Sequence, residues 1–218
     1  MSTWLAFDAG SPVTSAAVAR DARCLVESSG ESRSGPSLLH HMDTCLRGSG
    51  IALPGLDGIV VLSGPGSFTG IRVALATALG LRAAFPVPVF ALSNLAALAL
   101  GADPDGAPDV LAVVDALRDE WFVQAFRRER QGLAQIDAPQ RIPVAALAPA
   151  AGVVLGVHSL QELPATLARH PAARTYALSA PAAAAASAGE LGGLLNANLE
   201  ALYLRAFTPR QTQVPQRP

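Results

Sequence analysis

The sequence predicts an α/β protein of two related lobes, each built on a mixed sheet flanked by helices in the order βββαβα, with the second lobe truncated. Three observations carry this. Up to Leu100, short apolar runs and helically spaced stretches follow one another as strand, strand, strand, helix, strand, helix, strand, helix. A stretch dense in breakers, Gly-Ala-Asp-Pro-Asp-Gly-Ala-Pro at 101–108, then interrupts the chain. Beyond it the pattern restarts, and the halves overlay without a gap, Asp8-Ala9 on Asp115-Ala116, Arg20 on Arg127 and Arg23 on Arg130. The expected organisation is an N-terminal lobe over 1–102, a smaller C-terminal lobe over 103–207 and a polar, Pro/Gln/Arg-rich tail over 208–218.

Trp4–Asp8 is a short apolar strand ending on a carboxylate, and Thr14–Ala19 with Arg23–Glu27 continue it as a meander. Pro36–Arg47 has helical spacing, with Leu38, Met42 and Cys45 on one stripe and Leu39 and Leu46 beside it. Leu56–Ser63 is a continuous apolar strand broken by Gly64-Pro65-Gly66. Ser67 or Thr69 caps the next helix, which runs to Phe85. Val87–Leu92 is a strand, and Ser93 caps a helix through Leu100. In the second half, Val110–Asp115, Trp121–Phe126, Leu133–Ile136, Val153–Val157 and Thr175–Leu178 are strands, and Leu160–Ala168 and Ala182–Leu195 are helical.

With 218 residues, 50% of them hydrophobic, the chain has ample material for a core. Its net charge of −1 provides no broad electrostatic footprint for nucleic acid or an anionic membrane, so any RNA is expected to be held mainly by a partner. All basic residues are arginine. The absence of lysine excludes a P-loop nucleotidase and Schiff-base chemistry, both of which need a lysine amine. Cys24 and Cys45 form no CxxC, and Met1–Gly10 lacks the basic and apolar regions of a signal peptide. The uncharged stretch Ala83–Ala102 is divided by Pro86, Pro88, Ser93 and Asn94 into strand, turn and helix rather than a membrane span. A cytoplasmic protein with reduced thiols is expected.

The sharpest motif is Gly64-Pro65-Gly66-Ser67-Phe68-Thr69-Gly70-Ile71-Arg72, between a buried strand and a helix. Its glycines permit a sharp turn and a close approach, and the helix start behind them offers free N–H groups. A tight structural turn and a phosphate cradle both satisfy that pattern.

The nonapeptide resembles the signature of the TsaB (YeaZ-type) family of the glycoprotease-like (Gcp-like) superfamily. Leu5-Ala6-Phe7-Asp8 resembles that family's opening strand, and Pro88–Leu98 its following strand and helix. Asp115-Ala116-Leu117-Arg118-Asp119-Glu120 resembles its Asp-Ala-Arg-Arg-Gly-Glu run, with Leu117 and Asp119 departing, and Leu202-Tyr203-Leu204-Arg205 resembles its late Tyr-Leu-Arg. The match is strong over 4–100 and patchy afterwards. The resemblance implies an actin-like ATPase (ribonuclease H-like) fold and a non-catalytic scaffold for tRNA N6-threonylcarbamoyladenosine formation. It also implies a TsaD-like catalytic subunit and a TsaE-like ATPase, while the apolar stripe of Leu38, Met42 and Cys45 beside the small-residue helix predicts a homodimer when the chain is alone. Asp8-Ala9-Gly10 takes the place of the first phosphate-binding aspartate of actin-like ATPases, with Asp115 as its second-lobe counterpart. Asp8, Gly10 and Asp115 are therefore the cofactor candidates. No intrinsic cofactor is expected, although ATP or ADP with magnesium at a subunit interface fits the fold. Two alternatives of another class are a small actin-like phosphotransferase using Asp8 and Asp115, and a glycoprotease-type metallopeptidase.

No catalytic set is visible. Where the family often has His-Ser-Glu, this chain has Ser34-Gly35-Pro36. His40 and His41 are adjacent and diverge by about 100° on a helix; His41 and Cys45 have ligand spacing, but further ligands are missing. Ser11, Ser37, Ser67 and Ser159 have no nucleophile-elbow context, His158-Ser159 is expected in a surface turn, and His170 before Pro171 in a loop. Gly192-Gly193 with Asn196 faintly suggests an adenosine pocket or, equally, a loop. Gly64, Gly66, Ser67, Thr69 and Gly70 are assigned to a structural loop. The helix that follows is apolar nearly all round, and Leu38, Met42, Cys45, Arg72, Ala74, Thr77, Ala78 and Leu81 are expected to form an outward partner face.

Overall fold

The protein is described as a computed structural model, covering residues 1–31, 35–102, 109–129, 132–148, 154–158, 174–177, 181–187 and 193–204. β1 (Thr3–Asp8), β2 (Thr14–Arg20) and β3 (Arg23–Gly30) form an antiparallel meander. Helix α1 (Gly35–Ser49), β4 (Gly58–Leu62), α2 (Phe68–Ala84), β5 (Val89–Leu92) and α3 (Asn94–Gly101) follow. Because β4 and β5 add in parallel beside β1, the sheet order is β3-β2-β1-β4-β5.

The second sheet repeats this plan. β6 (Asp109–Asp115), β7 (Glu120–Glu129) and β8 (Gly132–Gln135) form the meander, while β10 (Val154–Val157) and β11 (Arg174–Ala177) add in parallel. The path β8-β7-β6-β10-β11 has the order and sense of the first, which is the topology of a duplicated actin-like fold. β9 (Gln140–Pro143), absent from the sequence reading, pairs with β7 beyond the end of β8. The overlay of the halves holds at Asp8 and Asp115 but slips by one in the next strand. Asp8 lies opposite Ser15, whereas Asp115 lies opposite Trp121, a hairpin one residue shorter. Arg20 and Arg127 are thus not equivalent by pairing, and Arg130, like the expected helix at 160–168 and the tail, lies outside the described residues.

β1 is buried on both faces, which explains its unbroken apolar run. Leu5 and Phe7 face α1 and α2 in a cluster with Leu38, Met42, Cys45, Ile71, Ala74 and Ala78. Ala6 faces the other way, into a cluster shared by both lobes and rich in alanine: Ala17, Ala19, Ala96, Ala97, Ala99, Ala112, Ala116, Ala182, Ala185 and Ala186. Methyl side chains let α3 and the short α4 (Ala182–Ser187) fit closely between the two sheets. α3 is buried on every side, and Arg128 of β7 donates from Nη2 to the carbonyls of Ala99 and Ala102, placing a cation at its C-terminus. From there the chain returns to the first lobe, where Asn196 and Ala91 exchange backbone hydrogen bonds on the edge of β5. Among the described residues no helix is long and apolar enough to cross a membrane.

The stripe of Leu38, Met42 and Cys45 does not face outward. Leu38 and Cys45 are fully buried and Met42 is 4% exposed, because α1 lies flat on β2; the Cys45 thiol donates to the Ala16 carbonyl at 3.2 Å. Met42→Ala should therefore cost about 2–5 kcal/mol of folding stability. Urea unfolding checks this, and a loss near zero would return the stripe to the surface.

Candidate functional site

The parallel strands β1, β4 and β5 end on one side of the first sheet, where α/β sheets gather polar groups. Asp8, last in β1, is fully buried, and its carboxylate turns back on its own chain: Oδ1 accepts from Gly10 N at 2.7 Å and Oδ2 from Ser11 N at 3.2 Å. Asn94, the first residue of α3, lies alongside. Its Oδ1 accepts from Gly64 N at 2.7 Å, its backbone N–H donates to Gly64 O at 2.8 Å, and its Nδ2 donates to Ser11 Oγ at 2.9 Å. Ser11 Oγ and His158 Nε2 then lie 3.4 Å apart. His158 follows β10 and is buried, so the second lobe meets the first here through a polar contact. Burial pushes the Asp8 carboxyl above its ordinary value; hydrogen bonding by Ser11 and Gly10, the charge of His158 and hydrogen bonding by Asn94 pull the other way.

The glycine loop packs on that turn, backbone against backbone. Ser67 N donates to Gly10 O at 2.7 Å, and Ser67 Oγ caps α2 by accepting from Gly70 N at 3.3 Å. A Cβ on Gly66 would overlap the Gly10 carbonyl, and one on Gly70 the Ala9 carbonyl. Gly64 alone among the three has a left-handed φ, +103°. The constraint at Gly66 and Gly70 is thus close approach to the chain's own backbone, and their side of the loop is filled by the Asp8–Gly10 turn.

Asp115 is placed differently from Asp8. Its carboxylate is exposed and accepts from Leu117 N at 2.7 Å, within a hairpin whose Leu117, Arg118 and Asp119 all have positive φ. The glycine that the resembled motif carries at the Asp119 position suits that backbone better than aspartate. Opposite Asp8, the second lobe contributes His158, which corrects the expectation of a surface turn there. Ser159, His170 and Gly192 lie outside the described residues, and Asn196 serves the β5 edge. On α1, His41 Nδ1 pairs with Ser28 Oγ at 2.8 Å, and burial, with Cys24 adding, pushes the Cys45 thiol up to about 11. Among the described residues, no group of three or more His, Cys, Asp or Glu is placed to hold a metal.

Of the residues expected on a partner face, Ala74 and Ala78 join Leu38, Met42 and Cys45 in the core. Arg72 is exposed and Thr77 and Leu81 are half-buried. The outer side of α2 is instead Phe68, Thr69, Arg72, Ala76, Leu79 and Gly80. Phe68 and Tyr203, 42% and 46% exposed, lie with ring centroids 5.3 Å apart, and the Arg72 guanidinium sits 5.2 Å from the Phe68 centroid. Tyr203 is brought there by Leu202, whose N–H donates to Ser63 O at 2.8 Å.

A family model described as TsaD, tRNA N6-adenosine threonylcarbamoyltransferase, matches residues 35–188. The chain belongs to this family. Within it, the likeness is to the TsaB (YeaZ) type of the Gcp-like superfamily. The tRNA threonylcarbamoyladenosine biosynthesis protein TsaB of Haemophilus influenzae is 37% identical over 94 residues, 43% of this chain and 40% of that protein. Its Escherichia coli counterpart is 33% identical over 97 residues, 44% of this chain and 42% of that one. The match thus spans less than half the length of these curated relatives. The structure of YeaZ from Pseudomonas aeruginosa superposes with a TM-score of 0.75 at 28% identity, covering 94% of this chain and all of that one.

Two expectations follow for this TsaD-family site. Gly70→Ala should lower stability by about 1–3 kcal/mol through overpacking against the Ala9 carbonyl, and an unchanged melting temperature would show the loop to be loose. Because the folded Asp8 carboxyl titrates above 3.8, its favourable contribution is complete below that value and is lost as pH rises through the folded pKa. The stability of wild type relative to Asp8→Asn should therefore fall as pH rises from about 3 towards neutrality. Denaturant titrations across that range measure it, and a flat difference contradicts it.

Proposed function

We propose that this chain is a non-catalytic subunit of the assembly that forms N6-threonylcarbamoyladenosine on tRNA in the cytoplasm, where it holds a TsaD-like catalytic subunit. The observation that carries this reading is the open outer side of α2: a helix apolar nearly all round buries Ile71, Ala74, Leu75 and Ala78 and leaves Phe68, Ala76, Leu79 and Gly80 at the surface. Small residues there admit a close-packed partner helix, and the Phe68–Arg72–Tyr203 cluster supplies side chains of the type that anchor interfaces. From Gly58 to Ala102 the chain has no carboxylate, while Arg72 and Arg82 are exposed, so a partner offering acidic residues is the complementary one.

The buried cleft favours a scaffold over an independent enzyme. Asp8 already accepts two backbone N–H bonds from its own turn, and the glycine loop is packed on that turn rather than presented to a phosphate. A nucleotide with magnesium belongs, on this reading, to a site completed at the subunit interface, together with a TsaE-like ATPase. Without its partner the chain covers the same face by pairing with itself, and tRNA is held by the partner.

Depleting the protein and measuring tRNA nucleosides by mass spectrometry should show loss of the threonylcarbamoyl adenosine. Leu79→Asp should weaken binding to the TsaD-like subunit by about tenfold or more while leaving the fold intact, because it removes an apolar contact and sets a carboxylate against the acidic residues such a partner offers. Unaltered nucleosides, or unaltered binding by a folded Leu79→Asp, would defeat the reading.

A further inference from the structure

The interlobe cleft and the outer face of α2 are joined by continuous polar contacts. His158, carried by the second lobe at the end of β10, meets Ser11 of the first lobe. Ser11 N and Gly10 N both donate to Asp8, fixing the turn after β1. Gly10 O accepts from Ser67 N, and Ser67 caps α2. There is no slack in this path: a Cβ would not fit between Gly66 and Gly10, or between Gly70 and Ala9, so the turn and the first turn of α2 move together. The first residue of α2 is Phe68, which stacks on Tyr203 and lies under Arg72.

We propose that His158 is a positioning residue through which the second lobe sets the first turn of α2, and with it the Phe68–Arg72–Tyr203 cluster. Its functional half rests on the reading of α2 as the docking face. The surroundings show why this contact has leverage. The rest of the interlobe core is apolar, mostly alanine with leucine, valine and phenylalanine, and such packing is non-directional, whereas buried polar groups fit one arrangement and are costly when unpaired. At the far end of α3, Arg128 holds the other edge of the interface. A change at His158 therefore acts at the Ser11 end of the interface while the Arg128 end stays held. The turn at 9–11 loses its second-lobe support, and the cap of α2 loosens with it. By reciprocity, a partner that tightens α2 strengthens the contact between the lobes.

Hydrogen exchange of the full chain, with and without the TsaD-like subunit, tests this in His158→Ala and His158→Gln. His158→Ala should speed exchange over residues 66–72 by about tenfold while β1 and β4 keep their protection. It should weaken subunit binding by about fivefold or more, although residue 158 is buried far along the chain in the other lobe. His158→Gln, which restores a hydrogen-bonding group, should recover both, whereas His158→Leu, of similar size but without such a group, should not. Should His158→Ala fail to fold, His158→Leu, which removes the polar group but keeps the volume, takes its place and is judged by the same measurements. Unchanged exchange at 66–72 in a folded variant, or no recovery with glutamine, overturns the proposal. A change in exchange with unchanged subunit affinity upholds the positioning role and overturns the docking reading instead.

Discussion

One buried amide ties together the edge of the first lobe that faces its neighbour. Asn94 satisfies Gly64 through its side-chain oxygen and its backbone N–H, and gives its side-chain N–H to Ser11. In doing so it ties the loop after β4, the turn after β1 and the start of α3 into one node, with His158 of the second lobe on its far side. Nothing apolar could do this, because each of those backbone and hydroxyl groups is cut off from water and needs a partner of the right polarity and direction. The arrangement of the glycine loop, the orientation of α2 and the closure of the cleft all follow from that node.

The node also bears on the scaffold role proposed for a fold associated with nucleotide clefts. The aspartate at the end of β1 is present, but each of its oxygens already accepts from its own turn, at Gly10 N and Ser11 N, and the charge of His158 in the second lobe partly offsets the effect of burial. Asp115 faces solvent on a strained hairpin. The polar groups of the cleft thus meet one another across the lobes, and the surface proposed for recognition lies outside, along α2.

Alanine has a structural part in this. With methyl groups on β1, β2, β6, α3 and α4, the two sheets are separated by only a thin layer of helix. That closeness brings His158 within reach of Ser11 and Arg128 within reach of the last carbonyls of α3. A larger side chain in this layer would push the lobes apart and break both contacts before it broke the fold.

The order of elements, the duplication and the caps at Ser67 and Ser93 were legible in the sequence because they rest on local physics: apolar periodicity, breakers and side chains that bond their own backbone a few residues on. The same local rules found Asp8 and the glycine nonapeptide, since both mark the end of a strand. What they could not find was which face of α1 meets the sheet, because a stripe of Leu38, Met42 and Cys45 looks the same whether a strand or another protein covers it. Nor could they place Asn94 or His158. The asparagine resembled one more breaker, and the histidine one more surface turn, and the only hint was that each stood at the end of an apolar stretch. Asn94 and Ser11 are separated by 83 residues, and Ser11 and His158 by 147. A hydrogen bond across such distances leaves no periodic trace in a chain; it exists only once two sheets have packed closely enough to bring donor and acceptor together.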